Sequence, residues 1–363
     1  MKDGVLEQFV RTLYYAPLPA MAMDADGMVA DYNLALEALV GDQLSGSRYL
    51  PVSALDGRLK PRILNGSFFP GNEGPSSQSQ CTFASDGFGE VQLNLKTIVC
   101  HDPVTSGPYA KFFLWEVLVP SCGHAFHEKY RRKLDHQLIW DTYAWSYDRV
   151  LPVMPYYVEL LDRHTRVLTG ALDGQVMDLG AGTGNLIERV LAAGRQVTAV
   201  DNSRAMLDKL RVKPPVRAEL GKRLLVIEAR AEYLPMVADQ SHAAVSLQLA
   251  LFDMYNPERG LETAVRVLRP GGSIVITDLK RSFRLEPLLK ECKARLRTLG
   301  LYKERADDLK RVVKSNRDLA PGSRSRFRIE DTLEFLKTRK FQDLSIEDSH
   351  LGQCATVRGR KAG

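Results

Sequence analysis

Nine residues, Val176 to Gly184, constrain what this chain can fold into more than any others. They read Val-Met-Asp-Leu-Gly-Ala-Gly-Thr-Gly. An apolar strand end delivers Asp178, and glycines at 180, 182 and 184 turn the chain into a helix expected to begin near Asn185. Glycine lets the backbone come close to a ligand and leaves amide groups exposed at a helix N-terminus, which suits an anionic or strongly polar group. The spacing is Gly-x-Gly-x-Gly, whereas the dinucleotide fingerprint sets its third glycine one residue further on. Seventeen residues after Gly184, the run Gln196 to Val200 ends in Asp201. A second parallel strand would place that carboxylate to accept both hydroxyls of a ribose. Alternating strand and helix patterns from Val176 onward predict an α/β domain. It would have a mostly parallel sheet, helices on both faces and ligand loops at the strands' carboxyl ends.

Further segments follow in a definite order. The apolar run Leu224 to Ile227 precedes Ala231-Glu232-Tyr233-Leu234-Pro235, and Ala243 to Gln248 reads as a fourth strand. Arg266-Val267-Leu268-Arg269-Pro270-Gly271-Gly272 then turns into Ser273 to Thr277. Upstream stands Asp141-x-x-Ala144-x-x-Tyr147-Asp148. On this ordered set, the chain from Trp140 to Gly363 resembles the class I S-adenosylmethionine (SAM) dependent methyltransferases. The upstream motif resembles the first helix of their quinone- and small-molecule-methylating branch.

The resemblance implies a Rossmann-like fold with a mostly parallel seven-stranded sheet, and SAM as methyl donor. It assigns Gly180, Ala181, Gly182 and Gly184 to the loop around the methionine moiety. Asp178 would orient that loop or reach the cofactor's amino group through water. Asp201 would hold the ribose, with Asn202 and Met206 on the adenine side. Ala231 and Glu232 would border the adenine ring, and Gln248 would sit where the fourth strand meets the transferred methyl. There are two departures from the family pattern. Arg230 stands where the family often has an acid, and His242-Ala243 where it often has Phe-Asp.

Methyl transfer from a sulfonium is an in-line displacement, so positioning of the nucleophile does most of the work. A general base is needed only when the attacking atom must lose a proton early. No catalytic triad and no metal site are therefore expected. Tyr143, Tyr147 and Asp253, with Tyr255, are the candidates for shaping the acceptor pocket. Tyrosines there would pack on the sulfonium by cation–π contact or hydrogen-bond an acceptor; the alternative is aromatic packing of a lid helix. His164, His242 and His350 are further base candidates.

Residues 280–328 read as a basic helical lid. Leu285, Leu288, Leu289, Cys292, Leu296 and Leu299 form one apolar face, and a second helix is expected around Tyr302 to Ser315. Arg324, Arg326 and Arg328 would alternate onto one side of a strand-like segment. Gly352-Gln353 and the final apolar positions read as the last hairpin strand. From Lys280 to Lys340 there are 19 Lys and Arg against 9 Asp and Glu, within a net charge of +6. The plainer reading, solvated helix faces, stands first; beside it, such an excess suits an anionic or carboxylated acceptor, a membrane surface or nucleic acid.

A length of 363 residues suits two domains. No apolar run reaches the length of a transmembrane helix, and Asp3 and Glu7 argue against a signal peptide. Cysteines 81, 100, 122, 292 and 354 include no Cys-x-x-Cys, so neither zinc nor a disulfide framework is expected, and a cytoplasmic location is. Nothing before Cys122 resembles a methyltransferase. Ala20 to Met23 is a short strand, Asp24 to Gly27 a hairpin turn, Met28 to Tyr32 a return strand, and Asn33 caps a helix that stops near Gly41. Glu90 to Cys100 and Tyr109 to Val119 are two long strands joined by a loop containing Asp102-Pro103 and Gly107-Pro108. Asn65 to Gln80 is Gly/Pro/Ser-rich and expected to be irregular. The strand, Asp-Gly turn, strand and Asn-capped helix resemble the start of PAS sensor domains.

The expected organisation is a PAS-like sensor or dimerisation domain (1–120), a linker helix (121–139) carrying Phe126, Tyr130, Leu134 and Leu138, and a methyltransferase domain (140–363). A homodimer through the first domain and the linker is expected. The leading function is SAM-dependent methylation of a small-molecule acceptor. The rivals are a lipid or quinone methyltransferase at a membrane surface and a PAS-containing regulatory protein that binds SAM without catalysis. Nucleic acid is not an expected partner, because the Asp/Asn-Pro-Pro-Tyr signature is absent after the fourth strand.

Overall fold

The computed structural model describes residues 13–47, 50–69, 78–85, 88–101, 108–118, 120–319 and 327–363. The chain divides into two compact units, Met1–Gln137 and Leu138–Gly363. Among the described residues no helix is long and apolar enough to cross a membrane.

In the first unit, β1 (Ala20–Asp24) and β2 (Val29–Tyr32) form the expected hairpin. The Asp24 carboxylate closes its turn by accepting from the backbone N–H groups of Asp26 and Met28. Asn33 caps α1 (Leu34–Val40): its side-chain oxygen accepts from Leu36 N at 3.0 Å and from Ala20 N at 2.9 Å. One amide therefore ends a strand, starts a helix and ties both together. Next come α2 (Val52–Leu59), β3 (Ile63–Gly66), β4 (Gln78–Ser85), β5 (Gly89–His101) and β6 (Pro108–Val117).

The six strands form one antiparallel sheet in the order β2-β1-β6-β5-β4-β3. Its core gathers Phe68, Phe83 and Trp115, all fully buried, and the Trp115 indole N–H donates to the Phe68 carbonyl. The stretch expected to be irregular is strand at both ends, since Asn65–Gly66 finish β3 and Gln78–Gln80 open β4. The residues between them (70–77), the β5–β6 loop (102–107), and Asp3 and Glu7 lie outside the described residues.

Helix α3 (Pro120–Val150) joins the expected linker helix and the Asp141–Asp148 motif into one element. No proline or glycine stands between Gly123 and Pro152 to end it earlier. Phe126, Tyr130 and Leu134 pack in the first unit's core. Tyr143, Ala144 and Val150 belong to the second unit's core.

The second unit continues with α4 (Pro155–Thr169), β7 (Val176–Leu179), α5 (Asn185–Ala192), β8 (Val197–Asp201), α6 (Arg204–Val212), α7 (Pro214–Arg217) and β9 (Leu224–Glu228). Then follow β10 (His242–Gln248), α8 (Pro257–Val267), β11 (Leu268–Leu279), α9 (Glu286–Thr298), α10 (Ala306–Leu319), α11 (Ile329–Thr338), β12 (Gln342–Ser349) and β13 (Cys354–Arg360). The strand order is β12-β13-β11-β10-β7-β8-β9. Strands β9, β8, β7, β10 and β11 are parallel neighbours, and β7 is buried along its whole length, as a strand covered on both faces must be.

The sheet is nevertheless mixed. β13 is antiparallel to both β11 and β12, because only His350–Gln353 separate β12 from β13 and so short a link can make only a hairpin. Two details of the lid differ from expectation. Its second helix runs over Ala306–Leu319, and Arg328 caps α11 rather than continuing a strand. Arg324 and Arg326 lie outside the described residues.

Candidate active site

The carboxyl ends of β7, β8, β10 and β11 open into a cavity of about 190 Å³ within the second unit. One wall is the glycine loop. The N–H groups of Gly180 and Ala181 both donate to Val200 O, at 2.8 and 3.0 Å, so the loop folds across the end of β8. Gly180 has φ +83°, and a Cβ there would lie 2.7 Å from the Ala250 Cβ. Gly182 has φ +54° and would meet nothing within 4 Å, which leaves its face of the wall open to a ligand.

Two carboxylates stand behind the loop. Asp201, at the end of β8, accepts from Gly182 N and Ser203 N, each at 2.8 Å. Burial pushes its carboxyl up to about 6, while those backbone donors pull it down. Asp178 lies opposite Ser246 of β10 in the sheet register and is fully buried. Burial pushes its carboxyl up to about 7, against the pull of the Ser246 hydroxyl and the Gln248 amide beside it. Neither reaches it with hydrogen-bond geometry, so both carboxylate oxygens are buried without a partner. Such a group is costly unless something supplies donors or positive charge.

The structure brings most of the expected site residues to this cavity. Gly180, Gly182, Asp201, Asn202 and Met206 line one side, and Ala231, Glu232 and Gln248 line the next. Three do not reach the wall. Ala181 packs in the core, Gly184 is the N-cap of α5, and Asp178 sits beneath the loop. Arg230, the departure from the family pattern, is a wall residue. Its guanidinium donates to the buried Glu232 carboxylate at 2.8 Å and lies 4.7 Å from the centre of the Tyr255 ring.

The far side is aromatic and apolar. Trp140, Tyr143 and Tyr147 come from α3, and Tyr156 and Tyr157 from α4. Tyr147 stands edge-on to both Tyr143 and Tyr157, at ring separations of 5.1 and 5.8 Å. Asp253 accepts from the Trp140 indole N–H at 2.9 Å, so it orients a wall aromatic. The lid contributes Leu285, Leu288, Leu289, Cys292, Val312, Asn316 and Leu319. Among the described residues, no lysine or arginine of the lid lines the cavity.

The histidines sort differently from the sequence reading. His164 is sealed between the Ser246 and Thr277 hydroxyls, at 2.9 and 2.8 Å, and burial lowers it to about 3. His242 is buried beside Ser241 and Thr198 at the start of β10, and burial lowers it to about 4. Neither lines the cavity, so neither serves as a base there. His350 does line it, against the Tyr156 ring, and burial holds it neutral near 4. Tyr157, Trp140 and Asn316 escaped sequence reasoning because their partners lie far away in the chain. His350, one of the base candidates, reaches the wall in the four-residue link before β13.

This geometry defines a Rossmann-like α/β domain with one cavity that joins a glycine loop to an aromatic compartment. Residues 177–276 match the family described as "Methyltransferase domain". Family and fold together imply SAM as the methyl donor. A demethylmenaquinone methyltransferase of Clavibacter sepedonicus is 31% identical over 148 residues, covering 39% of this chain and 56% of that protein. A ubiquinone/menaquinone biosynthesis C-methyltransferase of Yersinia enterocolitica is 29% identical over 157 residues, covering 42% and 61%. The matched region thus spans little more than half the length of these relatives. A SAM-dependent methyltransferase structure from Aquifex aeolicus aligns with a TM-score of 0.38 at 15% identity, covering 58% of this chain and 91% of that one.

The residues present fit the donor. The unpartnered Asp178 carboxylate, beneath the loop, suits the cofactor's ammonium group through water. The open face at Gly182 and the Asp201 carboxylate suit its methionine and ribose parts.

Proposed function

We propose that the second unit transfers a methyl group from SAM to a small, apolar, ring-bearing acceptor of the quinol type. The observation that carries this reading is the composition of this cavity. The buried Asp178 and the half-buried Asp201 lie behind a glycine loop at one end, and Tyr, Trp and Leu side chains form the other. The naming of relatives as demethylmenaquinone methyltransferases supports the same acceptor class.

When bound, SAM supplies an electrophilic methyl on a sulfonium. Asp201 and the glycine loop hold the donor, with Asn202 and Met206 beside it and Ala231 and Glu232 across from them. Gln248 lies at the end of β10, between the donor side and the aromatic side. Tyr143 and Tyr147 shape the acceptor compartment, and Asp253 fixes Trp140 in its wall. Excluding water from such a compartment and aligning the nucleophile account for most of the rate gain.

Formation of S-adenosylhomocysteine (SAH) with a short-chain, reduced demethylated naphthoquinone, against a panel of carboxylates and amines, tests this. Turnover with the quinol alone is expected. Turnover only with carboxylates or amines would overturn it. An acceptor of this class also favours the membrane-surface version of the reading, in which vesicle co-sedimentation is lost at high salt.

The first unit, with the linker, is proposed as a PAS-like sensor or dimerisation domain (1–120, then 121–139) ahead of the methyltransferase domain (140–363). Its sheet order and the Asn33-capped helix support that reading. Light scattering on the full chain tests the homodimer: twice the 40.6 kDa chain mass is expected, and a monomer at all concentrations would remove it.

A further inference from the structure

Two tyrosines of the acceptor compartment have hydroxyl oxygens that are already used as acceptors. Asn185, the first residue of α5, donates from Nδ2 to Tyr157 Oη at 3.1 Å and to Asp148 Oδ1 at 3.0 Å. Its amide cannot be turned round, because Lys213 Nζ donates to Asn185 Oδ1 at 2.6 Å and an ammonium has no acceptor to offer the opposite orientation. Lys213 is itself held by Asp148 at 3.2 Å and Glu188 at 3.6 Å. Tyr157 must therefore accept from Asn185.

Tyr143 is placed in the same way. Asn316 Nδ2 donates to the Val312 carbonyl at 2.8 Å, which fixes its amide, and to Tyr143 Oη at 2.9 Å. A phenol that accepts still has one proton to give. Among the described residues neither proton has an acceptor, and both rings lie on the cavity wall and are buried.

We infer that Tyr143 and Tyr157 present their hydroxyl protons to the acceptor, so that the compartment selects a flat apolar ring bearing two hydrogen-bond-accepting oxygens. This rests on the apolar-acceptor reading above and deepens it by naming the groups that choose the substrate. The lid wall is largely apolar, with Leu285, Leu288, Leu289 and Leu319. Asn185, Asp148 and Lys213 are positioning residues, since they act by fixing Tyr157.

A matched pair of inert ligands isolates the effect. 1,4-Dimethoxynaphthalene and 1,4-diethylnaphthalene have nearly the same shape, differing by oxygen for methylene at two positions, and neither can be methylated or add to a thiol. Their binding is measured by calorimetry on the full chain and on Tyr143→Phe, Tyr157→Phe and the double variant. Thermal melts check that each variant is folded.

The wild-type protein should prefer the dimethoxy compound by roughly tenfold or more, and each single variant should lose roughly three- to tenfold of that preference. The double variant should lose it altogether, with diethylnaphthalene affinity unchanged in all. A wild-type protein with no preference, or a preference that survives in the double variant, overturns the inference while leaving the apolar-acceptor reading standing. If the wild-type protein binds neither compound, the apolar-acceptor reading falls, and this inference with it.

Discussion

The donor side of the cavity and its acceptor side are built by opposite means. On the donor side, the glycine loop, Asp178 and Asp201 come from one βαβ stretch, and the backbone itself forms the wall. On the acceptor side, α3, α4, α9, α10 and the hairpin before β13 each contribute a few side chains, from Trp140 to Cys354. A backbone wall tolerates little change where it is closely packed, as at Gly180, where an added Cβ would lie 2.7 Å from the Ala250 Cβ. Walls made of side chains can be re-cut one residue at a time. On the proposed reading, the donor side holds one molecule and the acceptor side sets the specificity.

The sharpest way to break that contrast is Gly180→Val. The new Cβ would press on Ala250 at 2.7 Å, on a backbone with φ +83° that a β-branched residue resists. Strain of roughly 1–3 kcal/mol at one such residue, added to the clash, should abolish SAH binding by calorimetry and lower the melting temperature. SAH affinity within threefold of wild type would show that the loop is not a donor wall.

Asp201→Ala should have the next largest effect. It leaves the part-buried N–H groups of Gly182 and Ser203 without their partner, a cost of about 1 kcal/mol for each. SAH binding should weaken by at least tenfold.

Asp178→Asn sharpens the contrast through pH. Burial raises the folded carboxyl from 3.8 to about 7, so its contribution to stability is intact below the unfolded value and is lost as pH rises through about 7. The variant should melt like the wild type at pH 4 and several degrees higher at pH 8. Wild-type SAH binding should strengthen as pH passes from 6 to 8, whereas the variant, left with only Asp201 to titrate near 6, should change less. Parallel pH profiles for the two proteins would sink the assignment.

The smallest effect expected on the donor is from Leu288→Ala on the lid wall. SAH affinity should stay within twofold while the KM for a quinol acceptor rises severalfold. A matching loss in both would mean that the two sides are one structure.

What could be read from the sequence divides along the same line. The loop, its acids and the β1–β2 hairpin with its Asn33 cap were legible because their chemistry is local. In each, a turn, a cap or a register is decided by residues within a few positions of one another. Tyr157 was not, because its role depends on Asn185 and Lys213, which the fold brings from 28 and 56 positions away. The lid's charge was legible and its direction was not. Composition counts arginines and lysines, but only helix packing decides that the leucines of α9 face inward. His164 looked like a base for the same reason, since nothing local announces that Ser246 and Thr277 close over it.

The placement of β13 bears on how the protein is made. It is the latest of the seven strands to leave the ribosome, yet it lies inside the sheet, bonded to β11 on one edge and β12 on the other. His350 and Cys354 reach the cavity with that same hairpin. The glycine loop and its acids can assemble during synthesis. The acceptor compartment has no floor until β13 is in place, so an unfinished chain has no completed chamber in which to bind an acceptor.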